Sequence, residues 1–149
     1  MDYILDTNVL LRYVERNHPL HQVAFNSVAN LQSKGCSLFV LPQNCIEFWN
    51  VCTRPLDRNG FGKTPSQADV TLLGIENLFV TLTDLPSIYD RWRQLVVQFN
   101  VSGVQVHDAR IVAAMMAHGV SSILTFNTTD FTRYSTVGIT AVDPNSLAV

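Results

Sequence analysis

The sequence is short of the residues that mark several common protein classes. Its cysteines are Cys36, Cys45 and Cys52, an odd number without CxxC spacing, so we expect buried free thiols rather than a disulfide framework or a zinc site. No apolar run is long enough to span a bilayer. Near the N-terminus Asp2 stands where a secretory signal peptide needs basic residues. We therefore expect a soluble, cytoplasmic protein with no membrane partner.

Positive charge is scarce as well. Ten Lys and Arg residues against twelve Asp and Glu residues give a net charge of −2, and no lysine follows Lys63. Proteins that bind nucleic acid through bulk charge have a basic balance, so this composition argues against that mode of binding. Clustered acids that hold divalent cations would change the local field, so the class itself is not excluded.

The chain does have enough apolar residues, 47% of 149, to form a substantial core, and we interpret residues 1–149 as one domain. Continuous apolar runs, typical of buried parallel strands, alternate with segments of helical periodicity. The predicted strands cover residues 3–5, 37–41, 79–82, 122–126 and 138–143. The predicted helices begin after residue 6 and near residues 20, 42, 66, 87 and 108. This alternation predicts an α/β fold, a three-layer α/β/α sandwich with a mostly parallel sheet of about five strands.

The stretch 106–131 contains two carboxylates in informative positions. Asp108 is predicted to begin a helix that ends at Gly119, and it lies in line with an apolar stripe formed by Ile111, Val112, Met115 and Met116. A carboxylate that faces a core needs a partner, because burying an unpaired charge is very costly. Asp130 lies in the turn after the next predicted strand, so both acids are expected near one end of the sheet.

Two earlier acids have comparable positions. Asp6 directly follows the first predicted strand, where open α/β sheets bind ligands, although it would equally serve as a helix N-cap. Glu47 lies on the helix from Pro42, on one side with Gln43 and Asn50. Taken alone, Glu47 is best interpreted as a solvated glutamate paired with Arg54.

Four neighbouring carboxylates point to a particular chemistry. They repel one another unless they are protonated or neutralised by metal. Ligand sets made only of oxygen suit Mg²⁺ or Mn²⁺ rather than zinc, and such sites perform phosphoryl chemistry by activating water and stabilising the leaving oxygen.

Four segments together resemble the PIN-domain nucleases, and most closely the VapC-like toxins of type II toxin–antitoxin pairs. The resemblance covers essentially the whole chain. It is carried by the order and spacing of Leu5-Asp6-Thr7-Asn8-Val9-Leu10, Asn44-Cys45-Ile46-Glu47-Phe48, His107-Asp108-Ala109-Arg110-Ile111-Val112-Ala113 and Leu124-Thr125-Phe126-Asn127-Thr128-Thr129-Asp130-Phe131.

The resemblance implies a metal-dependent endoribonuclease that hydrolyses RNA phosphodiester bonds as the toxin of such a pair. The catalytic and metal-binding residues would be Asp6, Glu47, Asp108 and Asp130, with Mg²⁺ or Mn²⁺ as the cofactor. Supporting residues that orient carboxylates or water would be Asn8, Thr125 and Asn127. The implied partners are an RNA substrate and a small antitoxin protein, and the interpretation leaves room for a homodimer.

Cations near the four acids are the candidates for RNA contact. The loop 55–65 is rich in glycine and proline, and it is either a substrate-contacting flap with Phe61 as a stacking residue or an ordinary solvated loop. The cations closest to the acids in sequence or on the same predicted helical face are Arg54, Arg58, Lys63 and Arg110.

Three alternatives use similar features. A receiver domain and a haloacid-dehalogenase-type phosphatase both need a late lysine, which is missing, and the phosphatase also needs an aspartate where Asn8 stands. A stand-alone PIN-fold module for RNA processing or RNA binding, with weak or no catalysis, stays open.

Overall fold

Five parallel strands form the central sheet of the protein in a computed structural model that describes residues 1–147. The strands are β1 (Asp2–Leu5), β2 (Ser37–Val40), β3 (Val80–Thr81), β4 (Ser122–Leu124) and β5 (Thr140–Val142). Their order across the sheet is β3-β2-β1-β4-β5, and every neighbouring pair is parallel. The predicted sheet is confirmed, although each strand differs by one or more residues at its ends from the prediction.

Within residues 1–147, six α-helices connect the strands. They are α1 (Thr7–Val14), α2 (His21–Ser33), α3 (Pro42–Thr53), α4 (Pro65–Leu78), α5 (Ile88–Gln98) and α6 (Val106–His118). Short 3₁₀ segments cover Leu56–Arg58, Gly103–Gln105, Thr128–Val137 and Pro144–Ser146. Within residues 1–147, no helix is long and apolar enough to cross a membrane.

Each face of the sheet packs against its own hydrophobic cluster. Side chains alternate between the two faces of a strand, and in β1 Leu5 joins the cluster under α1 to α4 whereas Ile4 joins the cluster under α5 and α6. Both side chains are fully buried. Because helices cover both faces, the inner residues of the central strands β1, β2 and β4 are apolar on both faces, which explains the continuous apolar runs in the sequence.

Two helix starts differ from the sequence prediction. The sequence predicts Ser66 as the cap of the fourth helix, but Thr64 is the N-cap of α4, with Pro65 in the first turn and a reciprocal capping box with Gln67. Proline is favoured at that position because its missing N–H has no helical partner to lose. α6 begins at Val106, so Asp108 lies inside the first turn rather than at the first residue.

The carboxyl ends of β1 and β4 lie side by side. Leu5 pairs with Leu124, and the next residue, Asp6, donates its backbone N–H to the Leu124 carbonyl at 3.0 Å. The chain runs from β1 to β2 on one side, whereas β4 and β5 extend the sheet on the other. β1 and β4 therefore flank the topological switch point, where open α/β sheets form their ligand crevices.

Candidate functional site

Asp6 is a buried carboxylate held in a fixed orientation. Its side chain accepts hydrogen bonds from the Thr7 backbone N–H at 2.8 Å, from the Thr125 hydroxyl at 2.8 Å and from the Asn8 amide at 3.4 Å. Only 6% of the residue is exposed. Asp6 is thus the N-cap of α1, as the simpler interpretation expected, but two of its three donors are side chains that do not belong to a helix cap.

Thr125 and Asn8 form a network behind Asp6. The Thr125 hydroxyl donates to Asp6 and accepts from the Asn8 amide at 3.2 Å and from the Asn127 backbone N–H at 3.0 Å. The Asn8 side-chain oxygen accepts from the Phe126 N–H at 3.1 Å. Asn8 and Thr125 therefore orient the Asp6 carboxylate through their side chains. Asn127 contributes to this network through its backbone N–H.

Glu47 is held by α1 and by its own helix, not by Arg54. Its two carboxylate oxygens accept from the Thr7 hydroxyl at 2.9 Å and from the Gln43 amide at 3.0 Å. The Arg54 guanidinium instead donates to the Asn59 carbonyl at 3.0 Å. The predicted Glu47–Arg54 pair is wrong, because helical spacing alone does not tell which neighbouring element reaches each side chain.

Two α3 side chains that sequence reasoning did not single out as functional support this site. Asn44 is fully buried, accepts from the Leu41 N–H at 3.0 Å and donates to the Thr7 hydroxyl at 3.3 Å. Gln43 donates to Glu47 and also to the His107 carbonyl at 2.8 Å, and so links α3 to the first turn of α6. Their signal in the sequence is weak: they are amides next to an acid, directly after a predicted strand.

Asp108 and Asp130 complete the acidic cluster, the name used below for Asp6, Glu47, Asp108 and Asp130. Asp108 is half-buried, in the first turn of α6, and Asp130 is exposed on the 3₁₀ segment after β4. The predicted stripe behind Asp108 is confirmed for Ile111, Val112 and Met115, which are buried, whereas Met116 is only half-buried.

Electrostatic coupling ties the cluster together. Burial raises the pKa of Asp6 to about 6, with Glu47 and Asp130 adding to the rise and the hydrogen bonds from Thr125 and Thr7 opposing it. Burial also raises the pKa of Asp108 to about 7, with further contributions from Asp6, Asp130 and Glu47. Glu47 and Asp130 thus make ionisation of both Asp6 and Asp108 less favourable, and Asp6 does the same to Asp108.

The cations near the cluster are only partly those that sequence proximity favoured. The positive charge that lowers the pKa of Asp108 belongs to Arg133, which sequence reasoning did not single out. The charge of Lys63 is instead close to Cys52, where it opposes the rise in the Cys52 pKa that burial causes. The Lys63 backbone N–H donates to the Cys52 carbonyl at 2.9 Å. Phe61 is half-buried and packs against the hydrophobic cluster on the α1–α4 face of the sheet, so only part of the residue is exposed.

Arg110 is the predicted contact that lies close to the acids. Its guanidinium donates to the Gln43 side-chain oxygen at 3.2 Å and pairs with Asp84 at 3.3 Å. It lines a groove of about 600 Å³ whose other polar lining includes Gln43, Glu47, Asn50, Asp84 and His107. Arg54 and Arg58 lie at the other end of α3, where the chain turns into the Leu56–Arg58 segment.

The donor chemistry of the cluster fits a hard divalent cation. Its ligands are all carboxylate oxygens, and Asp6 accepts three hydrogen bonds, which favours the ionised form despite its burial. Within residues 1–147, no group of three or more His, Cys, Asp or Glu side chains is arranged to hold a metal ion. Mg²⁺ sites in proteins commonly use only one or two carboxylates, with waters and substrate phosphates completing the coordination.

A protein-family model matches most of the chain. The model described as PIN domain matches residues 3–136, which include all four acids of the cluster. No curated protein matches the sequence.

Solved structures share the fold at low sequence identity. VapBC2 from Rickettsia felis, bound to a DNA fragment from its promoter, gives a TM-score of 0.71 at 15% identity over 96% of this chain and 98% of that chain. VapBC-1 from nontypeable Haemophilus influenzae gives 0.70 at 15% identity over 97% and 98%. VapC20 from Mycobacterium tuberculosis, a Sarcin-Ricin loop cleaving toxin, gives 0.62 at 14% identity over 94% and 98%. At such low identities, the TM-scores show likeness of fold alone.

Proposed function

The chain belongs to the PIN domain family, and from this premise we propose that it is a metal-dependent endoribonuclease, the toxin of a type II toxin–antitoxin pair. The observation that carries the proposal is the orientation of Asp6 and Glu47 at the switch point of the sheet. Both carboxylates receive hydrogen bonds from Thr7, and Asp130 lies close enough to Asp6 and to Asp108 to raise the pKa of each. Because surrounding residues orient the carboxylates of Asp6 and Glu47, these side chains are suited to bind a cation. That cation would in turn bind a phosphate of the RNA.

Asp6, Glu47, Asp108 and Asp130 would hold Mg²⁺ or Mn²⁺ in this proposal. A divalent cation there supplies neutralisation of phosphate charge and a lowered pKa for bound water. Thr125 and Asn8 keep the Asp6 oxygens aimed at the crevice through their hydrogen bonds. Thr7 and Gln43 do the same for Glu47, so the two carboxylates need little rearrangement when a charged ligand arrives.

Hydrolysis follows the usual balance for a phosphodiester. A water oxygen forms a bond to phosphorus, the bond from phosphorus to the 3′ oxygen breaks, and the leaving oxygen takes a proton. By family resemblance the products carry 5′-phosphate and 3′-hydroxyl ends. Arg110, which lines the groove beside Glu47, would bind a phosphate of the strand.

The test is cleavage of labelled single-stranded RNA by the purified protein with Mg²⁺, with Mn²⁺ and with excess EDTA. We expect cleavage only with metal, and a decrease of at least about 100-fold in rate for Asp6→Asn and for Glu47→Gln. Glu76→Gln is the matched control, because Glu76 is an exposed acid on α4 outside the cluster. Undiminished cleavage in EDTA would overturn the proposal.

The proposed antitoxin partner has its own support in an apolar surface next to the groove. Ile46 is 71% exposed and lines both the groove and an apolar cavity of about 270 Å³ formed with Cys45, Trp49 and Leu72. A short segment that placed an apolar side chain there and a basic one on the cluster would block the site. Co-purification of a small protein from the native host, and growth arrest when the chain is expressed alone, are the expected results. Absence of both would favour a stand-alone role in RNA processing.

A further inference from the structure

A second cavity adjoins the groove on the side away from α3. It has a volume of about 370 Å³ and lies between the segment that leads into α5 and the side chain of Arg110. Its lining is almost wholly apolar: Leu85, Pro86, Ile88, Tyr89 and Trp92, with Arg110 at one side. A pocket of this size lies toward the small end of the range found for ligand sites, roughly 300–1,000 Å³.

Two aromatic rings shape the cavity. Tyr89 is 62% exposed, whereas Trp92 is half-buried and its indole N–H donates to the Val106 carbonyl at 2.8 Å. The ring centroids are 5.8 Å apart with the planes inclined by 32°. Trp92 is therefore a fixed part of the α5–α6 packing, while the Tyr89 ring offers an open face beside it. An exposed aromatic face next to a fixed apolar wall suits a flat, unsaturated ligand.

Arg110 connects this cavity to the acidic cluster. It lines both the cavity and the groove, and it donates to Gln43, which in turn donates to Glu47. Its only ion pair within residues 1–147 is the exposed one with Asp84, and exposed pairs of this kind contribute little. The guanidinium is thus available to an anionic group lying between the cavity and the cluster.

We propose that the cavity of Tyr89, Trp92 and Arg110 is a base-binding subsite for single-stranded RNA, one that holds a nucleotide beside the phosphate to be cut. The inference rests on the proposed function. A nucleotide joins a flat base to an anionic phosphate at short range, which matches an aromatic pocket with an arginine at its edge. A peptide that placed a basic side chain in this cavity would instead be repelled by Arg110.

The experiment combines an abasic scan of the RNA with a change in Tyr89. A single abasic nucleotide is placed in turn at each position flanking the cleavage site, and kcat/KM is measured with Mn²⁺ for wild type and Tyr89→Ala. We expect one position at which removal of the base lowers kcat/KM roughly 5- to 150-fold in wild type. On intact RNA, Tyr89→Ala should lower kcat/KM by a similar factor, and the abasic change at that position should then have little further effect.

Two further variants make the result specific. Tyr89→Phe keeps the ring and should retain wild-type kcat/KM, and Val97→Ala, a change at an exposed residue of the same helix outside the cavity, should do the same. Overturning results are wild-type kcat/KM for Tyr89→Ala, or abasic and Tyr89→Ala effects that simply multiply at every position. Weaker antitoxin binding by Tyr89→Ala without any change in RNA cleavage would also overturn the subsite.

Failure of the proposed function has a different outcome. A wild-type protein that cleaves no RNA would remove the nuclease, and the subsite is then tested by fluorescence anisotropy with the same intact and abasic oligonucleotides. Equal affinity for all oligonucleotides would overturn it, whereas a position-dependent decrease in affinity that disappears in Tyr89→Ala would support it.

Discussion

At the scale of single residues, Asp6 and Asp108 carry the main energetic consequence of the acidic cluster. Their pKa values are raised above the ordinary aspartate value, to about 6 and about 7, with burial as the largest cause and neighbouring carboxylates adding to it. Groups with perturbed pKa values are common at functional sites. Functional sites often lower the stability of the folded protein, because they keep such groups in unfavourable surroundings. The perturbation can therefore be measured as a dependence of stability on pH.

The first prediction concerns stability without metal. Because both folded pKa values lie above the unfolded value near 4, the folded state binds more protons than the unfolded state between about pH 4 and pH 7. The free energy of unfolding should therefore fall as pH rises through that window and level off above it. Urea unfolding in EDTA at a series of pH values measures this. Mn²⁺ at pH 7 should restore the stability by binding the folded state. Stability that rises over the same window would contradict the coupling.

A second prediction removes one charge. Asp108→Asn should abolish RNA cleavage and leave the metal-free protein as stable as wild type or more stable, by about 1 kcal/mol, because repulsion within the cluster is relieved. The variant should also gain less than wild type from Mn²⁺. Thermal melts of both proteins at pH 7, in EDTA and in Mn²⁺, supply the comparison. If Asp108→Asn melts well below wild type in EDTA and gains the same increment from Mn²⁺, Asp108 is a structural residue and the proposed metal site is wrong.

At the scale of elements, the site depends on how α3 is attached to α1 and β2. Asn44 bridges them, since it accepts from the Leu41 N–H and donates to the Thr7 hydroxyl that in turn holds Glu47. All of these hydrogen bonds are made by the first two turns of α3, the residue before it and the first residue of α1. The orientation of Glu47 is therefore a property of the packing of two helix starts against the ends of two strands.

The third prediction tests this attachment. Asn44→Ala removes the acceptor of the buried Leu41 N–H, and an unsatisfied buried donor costs roughly 1–3 kcal/mol. We expect a decrease in stability of that size in urea unfolding, together with slower cleavage because the Thr7 hydroxyl no longer has its amide donor. Asn50→Ala is the control for stability, since Asn50 is an exposed residue of the same helix and should change the free energy of unfolding by less than about 0.5 kcal/mol. Equal effects of the two changes would show that Asn44 does not secure α3.

The same elements show what could be predicted from the sequence. The sheet could be predicted, because strands covered on both faces form continuous apolar runs in the sequence, such as the run that contains Val40 and Leu41. The nearness of Asp6 to the strand end could too, because it follows β1 directly. The partners of Glu47 could not, since they depend on which face of α3 meets Thr7. The predicted 79–82 strand is too long, because β3 is an edge strand of only two residues.

At the scale of the whole molecule, the net negative charge opposes RNA binding, whereas the groove beside the acidic cluster would favour it locally. A chain with a net charge of −2 has no general attraction for RNA, so phosphate contacts must come from a few cations and from metal held by the cluster. Arg110 lies in the groove beside Glu47, whereas Arg54 is engaged with Asn59 and Lys63 lies by Cys52. The site thus predicts a small, local phosphate-binding surface rather than an extended basic one.

The last prediction separates these cations by salt dependence. Removing one cation that binds a phosphate of single-stranded RNA should reduce the slope of log affinity against log salt concentration by roughly 0.7. Arg110→Ala, measured in the cleavage-deficient Asp6→Asn background with Mn²⁺, should show a reduction of that size, because its guanidinium lies between the groove and the apolar cavity. The combined Arg58→Ala and Lys63→Ala variant should bind RNA with unchanged affinity and slope, since neither residue lines the groove beside Glu47. Arg54 is left intact in this comparison because its guanidinium donates to the Asn59 carbonyl at 3.0 Å, and removing that hydrogen bond would disturb the loop. A reduced slope for the double variant, with no change for Arg110→Ala, would instead identify the loop 55–65 as the RNA-binding flap and would remove Arg110 from the phosphate path.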